Sequence, residues 1–337
     1  MPKIVVQGYD VRDAPVRRNV YALLLEFDPT IVAGPSARGS SYYKTLLSCP
    51  REFGLRHDAG LQPADPKEAL TVGWLFHLCL QYYYQAIAEH QRTTPNRPSD
   101  PAWLWGGCNA GMKRAYDVLD VLRSAEGFGE TADTLQRLVD SYFDRYDRQD
   151  RWRIIAVEET LYHHSLDYSA RLDLLVHDLD RGGLFVTEHK TARVITEDLI
   201  ANYQLDLQIL GQVWLFLECV DQTKYPPFLG VRVNIATKHK TGAQTVRLDV
   251  CPSDSHLAAF ERSIRDYKRL LPVMRELKWP QYFHCAGYSR GYSKCQFYDV
   301  CHDHPGRDVN YWRNADLPPD GFIVPDHDNP VVDEDPE

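Results

Sequence analysis

The sequence of 337 residues has no apolar stretch approaching eighteen residues and no basic-then-apolar pattern near its start, so a cytoplasmic protein without a membrane-spanning helix is expected. No internal repeat is present, which excludes solenoids and propellers. None of the eight cysteines forms a Cys-x-x-Cys pair, the usual knuckle of a structural zinc site. In a reducing compartment these cysteines are read as thiols or metal ligands, not disulfides. The chain also lacks positive charge: 38 Lys and Arg stand against 47 Asp and Glu, a net of −9, which on its face argues against a nucleic-acid partner. That deficit is local. Asp316 to Glu337 holds eight acids, five prolines and no Lys or Arg, leaving −1 for residues 1–315. Residues 303–337 are read as an acidic, Pro-rich tail, disordered or loosely docked. With 44% hydrophobic and 25% charged residues, the rest is an ordinary globular composition with ample core.

Patterning organises the body. Residues 1–39 are irregular, with one apolar run from Tyr21 to Phe27. Ser40 and Ser41 cap a helix expected to reach about His57, and a strongly apolar helix is expected over 68–90. A Pro- and Trp-bearing connection (91–108) and two helical patterns (109–123 and 131–148) follow, making 91–150 a helical arm. Strand-like runs cover 153–163, 168–177 and 184–190, and Asp178-Leu-Asp-Arg-Gly-Gly183 between the last two is a hairpin turn. One helix is expected over 196–220, then strands over 228–237 and 244–250, then a helix over 253–278. The order describes an α/β domain with a mixed sheet flanked by helices.

Strand alternation puts Leu172, Leu174 and Val176 on one face and Asp173 on the other; Glu188 and Lys190 share a face roughly 7 Å apart. A hairpin therefore brings Asp173 beside Glu188 with Lys190 next to both. Paired carboxylates raise each other's pKa unless a cation lies between them, and all-oxygen ligation suits Mg²⁺ or Mn²⁺. A solvated surface hairpin carries the same three residues, so the pattern alone leaves both readings open.

The set Asp173…Glu188-His-Lys190 resembles the metal site of the PD-(D/E)XK nuclease superfamily. Gly73-Trp-Leu-Phe-His77 resembles the Gly-x-x-x-His motif of its RecB-like branch, and Gln208-Ile-Leu-Gly-Gln212 resembles the motif that follows the catalytic lysine there. The resemblance implies a restriction-endonuclease-like core in which His77, Asp173, Glu188 and the main-chain carbonyl of His189 hold the metal. It also implies that Lys190 assists the attacking water and that Gln208 orients substrate or site. Many relatives carry Tyr at the position of Gln212. Gln204, Gln208 and Gln212, four apart on one expected helix, are each candidates for the glutamine role.

Cys285, Cys295 and Cys301 cluster in a short turn-rich segment, and Cys49 stands in Ser48-Cys-Pro-Arg51. Four thiolates suit a [4Fe–4S] cluster or Zn²⁺. One Cys-Pro-Arg before the core and three cysteines after it resemble the iron–sulfur staple of RecB-like nucleases, over about residues 40–302, with the 285–301 loop closing on Cys49. Cys79, Cys108, Cys219 and Cys251 are read as structural.

From Gln222 to Leu248 there is no acid, while Lys224, Arg232, Lys238, Lys240 and Arg247 lie within. Lys238-His-Lys240 is read as a basic hairpin tip facing phosphates, or equally as a lysine-protected edge. Arg51 and the tyrosines Tyr42, Tyr43, Tyr288 and Tyr292 near the cysteines are candidates for DNA contact or for packing. The expectation is a DNA exonuclease acting on single-stranded ends in recombination, repair or phage DNA processing, alone or with a helicase or recombination partner. The rivals are a non-catalytic iron–sulfur DNA end-capturing factor and a zinc-stabilised hydrolase or scaffold.

Overall fold

The computed structural model describes residues 5–6, 9–10, 24, 27–28, 38–63, 68–95, 97–238, 242–281, 288–289, 293–304, 306–315 and 317–324. The chain divides into two compact units: a sheet unit (Gly34–Ser40 and Glu68–Arg262) and a cysteine unit (Met1–Ala33, Ser41–Lys67 and Ser263–Glu337).

In the sheet unit, α1 (Glu68–Thr93) is followed by α2 (Pro101–Trp105), α3 (Cys108–Ser124) and α4 (Gly129–Tyr146). Then come β1 (Trp152–His163), β2 (Tyr168–Asp178), β3 (Gly183–Ala192), α5 (Glu197–Tyr203), α6 (Leu207–Cys219), β4 (Phe228–Thr237) and β5 (Thr245–Val250). The five strands form one sheet in the order β1-β2-β3-β4-β5. Only β3 and β4 run parallel, because α5 and α6 cross between them; the other pairs are antiparallel. The β2–β3 turn is as expected: Asp178 Oδ1 accepts the N–H groups of Asp180 and Arg181, and Gly182 takes φ 69°.

Both faces of the sheet are covered, so its central strands are apolar on both sides. On one face His189 of β3 lies against Tyr84 of α1 and Tyr142 of α4, with ring centroids 5.9 and 5.7 Å apart. On the other face lies α6, where Gly211 permits close approach: a Cβ there would sit 2.0 Å from the Tyr168 hydroxyl of β2.

Two helices differ from expectation. The helix over 196–220 is broken into α5 and α6, because Asp206 takes an extended conformation and caps Gln208 and Ile209 with its carboxylate. Gln204 falls in the break and is exposed, so it does not share a helix face with Gln208 and Gln212. The helix begun at Ser40 stops at Ser48. Pro50, which lacks an N–H, starts a second helix (Pro50–Phe53), and Cys49 caps it by accepting from Glu52 N–H at 3.4 Å.

In the cysteine unit, part of the acidic tail is folded. Val309–Arg313 is helical and Phe322–Ile323 pairs with Gln62–Pro63. The apolar stacking of Phe322 on Phe297 (5.2 Å between centroids) gives the tail an anchor that its charge and proline content do not reveal. Residues 325–337, most of residues 1–37, Lys240 and Cys285 lie outside the described residues. No helix among the described residues is long and apolar enough to cross a membrane.

Candidate active site

The β2–β3 ladder is paired from Asp178↔Gly183 to Leu174↔Thr187 and ends there. The next step of the register places Asp173 opposite Glu188. Between the two strands at this fork, Asp173 Oδ2 accepts the main-chain N–H of His189 at 2.8 Å. On the other side, β1 pairs with β2 through Val157↔Leu174 and Glu159↔Leu172, which sets Glu158 across from Asp173. Glu158, Asp173 and Glu188 thus form a row of three carboxylates across three strands. Arg171 and Lys190, two residues along β2 and β3, form a parallel basic row.

Helices supply the remaining groups from both faces. His77 of α1 puts Nδ1 3.2 Å from Asp173 Oδ2. From α6, Gln208 Nε2 donates to Glu188 Oε1 at 2.7 Å and Gln212 Nε2 donates to Glu188 Oε2 at 2.6 Å. Lys190 Nζ donates to Glu188 and, at 2.8 Å, to Gln208 Oε1. Gln208 and Gln212 therefore act as a pair on one carboxylate. The side chain of His189 faces the opposite way, where Asn234 Nδ2 lies 3.3 Å from its Nδ1.

The electrostatics follow from burial. Glu188 is fully buried, and burial together with the charge of Asp173 raises its carboxyl above the usual range despite Lys190. Burial also acts to raise Asp173, but the charge and hydrogen bond of His77, with His189 and Lys190, outweigh it and hold that carboxyl low. Burial opposes charge on His77 and Lys190, yet the carboxylates raise both. His189 is pushed down to about 3, chiefly by burial, and is neutral. Glu158 is pushed up to about 7 by burial and Asp173, against the pull of Arg171, whose Nε sits 2.8 Å from it. Three carboxyls thus meet Lys190, Arg171 and the His77 imidazole in a buried place, and burial and crowding push Glu158 and Glu188 up while Asp173 is held low.

Glu158 was not foreseen in the sequence. It has φ 54°, a left-handed conformation that holds strain of about 1–3 kcal/mol for a side-chain-bearing residue inside a strand. Such outliers concentrate at functional sites. The signal available in the sequence was only the register, and a shift between Ile154 and Ala156 hides it.

The residues fit a divalent cation. The donors are hard carboxylate oxygens plus one imidazole. Gln212 Oε1 is buried with no hydrogen-bond partner among the described residues, as an acceptor for a water or ion-bound ligand would be. With Lys190 and His77 bonded to the carboxylates, no group of three or more His, Cys, Asp or Glu side chains among the described residues is arranged to hold a metal ion.

The expected DNA-contacting cations fare unevenly. Lys238 follows β4 and is half-buried. Arg51 is buried, and its guanidinium donates to Arg307 O at 2.7 Å and to Cys301 Sγ at 3.4 Å, so it faces into the cysteine unit and not a DNA surface. Arg232 and Arg247, from the acid-free window, are paired with Asp178, Asp249 and Asp150. Tyr42 and Tyr43 are buried and pack. In the cysteine unit, the Cys49 and Cys295–Cys301 segments lie together: besides Arg51 on Cys301, Gln296 Nε2 donates to Glu52 at 3.2 Å and Arg56 lies over Phe297.

The sequence model of the PD-(D/E)XK nuclease superfamily matches residues 40–302, and the chain belongs to that superfamily. It is a nuclease and a hydrolase by family, and such nucleases generally use Mg²⁺ or Mn²⁺. Among solved structures it is similar to a "putative exonuclease" from Eubacterium rectale, at 12% identity and TM-score 0.41, over 79% of this chain and 92% of that one. It is also similar to the protein SSO0001, at 14% identity and TM-score 0.25, over 57% and 86%. No curated protein matched.

Proposed function

We propose that this nuclease is a metal-dependent DNA exonuclease of the RecB-like, iron–sulfur type, acting on single-stranded ends in recombination, repair or phage DNA processing. The observation that carries the catalytic part is the fork between β2 and β3, where Asp173 and Glu188 meet His77, Lys190, Gln208 and Gln212. His77, Asp173 and Glu188, with the main-chain carbonyl of His189, would hold Mg²⁺ or Mn²⁺. When bound, the ion activates water and neutralises phosphate. Lys190 holds the attacking water beside the phosphorus and donates to the developing charge. Gln208, bonded to both Lys190 and Glu188, fixes their relative position. Gln212 fixes the second Glu188 oxygen.

The same reading gives Cys49, Cys285, Cys295 and Cys301 to a [4Fe–4S] cluster that staples the cysteine unit, supported by the packing of the Cys49 and Cys295–Cys301 segments. A structural cluster closing so long a loop stabilises the chain without taking part in the chemistry.

The test is anaerobic purification followed by incubation of end-labelled single-stranded DNA with Mn²⁺. Stepwise shortening from an end, with stoichiometric iron, is expected, and Cys295→Ala should lose the iron and destabilise the protein. DNA binding without cleavage by iron-loaded protein would instead establish an end-capturing factor, and a colourless protein with stoichiometric zinc would overturn the iron–sulfur reading.

A further inference from the structure

The two glutamines that hold Glu188, one on each oxygen, are not equally supported by α6. Gln212 lies in the second turn, where each main-chain N–H bonds back into the helix. Gln208 is the second residue of α6, and an N–H in the first turn has no partner within its own helix. Asp206 supplies one: its Oδ1 accepts the N–H of Gln208 at 2.8 Å and that of Ile209 at 3.4 Å. Asp206 is extended, at φ −66° and ψ 128°, so the turn that carries Gln208 starts where it does because of this residue. The sequence pattern alone runs one helix over 196–220, so the apolar spacing does not set the break. The Gln208 side chain then joins two groups of the site. Its Oε1 accepts Lys190 Nζ at 2.8 Å, and its Nε2 donates to Glu188 Oε1 at 2.7 Å. Against burial, the charges of Glu188 and Asp173, and after them that of Asp206, raise the Lys190 ammonium.

We infer that Asp206 is a positioning residue of the nuclease site: by fixing the first turn of α6 it holds the Gln208 amide between Glu188 and Lys190. This deepens the nuclease reading and rests on it. The capping oxygen carries the effect, and the charge does not. Without the cap the first turn frays, or α5 and α6 run on as one helix. In both cases Gln208 leaves its place, while Gln212, one turn further in, stays on Glu188. Loss of Asp206 therefore resembles loss of Gln208, and acts on the chemical step more than on substrate binding.

The test uses the full-length protein, end-labelled single-stranded DNA and Mn²⁺, with Mn²⁺ binding followed separately by calorimetry. Asp206→Ala should lower kcat about tenfold with KM nearly unchanged, and should weaken Mn²⁺ binding about tenfold because Glu188 loses an orienting donor. Asp206→Asn keeps a capping oxygen and loses the charge; it should stay within about twofold of wild type in both. In a Gln208→Ala background, Asp206→Ala should add nothing to the loss of kcat. Asp100→Ala, which removes the cap that accepts Ala102 N–H at 2.9 Å on α2, is the control and should leave kcat and Mn²⁺ affinity unchanged. Three results would each overturn the inference: Asp206→Asn as damaging as Asp206→Ala, a loss that adds to that of Gln208→Ala, or an Asp206→Ala protein that is less stable in urea but keeps kcat and Mn²⁺ affinity. Wild type that neither cleaves nor binds Mn²⁺ would sink the nuclease reading instead. The exchange rate of the Gln208 side-chain amide protons, read by NMR in metal-free protein, would then decide the positioning: faster in Asp206→Ala and unchanged in Asp206→Asn supports it, and equal rates in all three proteins overturn it.

Discussion

Two ionic clusters occupy opposite faces of the same sheet, and they are built differently. On the α1 side, Arg232 donates to Asp178 at 2.7 Å and to Asp249 at 2.8 and 3.1 Å, while Arg247 grips Asp150 at 2.6 and 3.0 Å. Their guanidinium groups also lie over Phe185, Tyr146 and Trp152 at 4.0, 3.9 and 4.6 Å. Every one of these carboxylates has an arginine in bidentate or branched geometry, and the flat cations are packed between aromatic rings. That cluster is a brace. The Glu158–Asp173–Glu188 cluster has a strained residue, a split ladder, an imidazole partner and two amide donors on one carboxylate. Arginine forks under aromatic cover mark the structural cluster; a fork in the sheet with a strained residue and amide donors marks the candidate site.

The comparison can be broken by removing cations from each cluster. Lys190→Ala should lower cleavage on the order of 10⁴-fold in single-turnover assays, with urea unfolding little changed. Arg247→Ala should do the reverse. It leaves the half-buried Asp150 without its bidentate partner, so stability should drop by about 1–3 kcal/mol in urea, while the activity of each folded molecule persists. If Arg247→Ala abolished activity in a stable protein, the distinction between brace and site would fail.

A pH titration sharpens the contrast. The Glu158 carboxyl is raised from 4.5 to about 7 in the folded protein, so its contribution to metal-free stability is present below pH 4.5 and is lost as pH rises towards 7. Relative to Glu158→Gln, wild type should lose on the order of 2 kcal/mol across that window, and Mn²⁺ should restore it. Denaturant midpoints at several pH values measure this; a flat difference would show that Glu158 is not crowded by the other carboxylates. The smallest effect is expected at the amide donors. Gln212→Ala should weaken Mn²⁺ affinity about tenfold by freeing one oxygen of Glu188, readable from the Mn²⁺ dependence of cleavage.

Much of the candidate site's geometry is legible because alternation is a strict period. Once residues 168–177 and 184–190 are strands joined by Asp178–Gly183, the shared face of Asp173, Glu188 and Lys190 follows, and the paired strands place them so. Glu158 was not legible because its position depends on a shifted register and a left-handed residue, neither of which leaves a mark in composition. The basic window misled for a related reason. It is free of acid along the chain but not in space, since β2, β5 and the turn before β1 bring Asp178, Asp249 and Asp150 to its arginines. Arg51 likewise stands beside Cys49 in the sequence yet points inward to Arg307. The broken helix at Gln204 was signalled by Asp206, a good capping residue, but the apolar run after it masked the break.

The central claim is that the carboxylate row, and not the equally acidic brace, holds the metal. Calorimetric titration of Mn²⁺ into wild type, Asp173→Asn and Asp249→Asn tests it directly. The account predicts at least a hundredfold weaker binding in Asp173→Asn and unchanged binding in Asp249→Asn. Equal Mn²⁺ affinity in wild type and Asp173→Asn would contradict it.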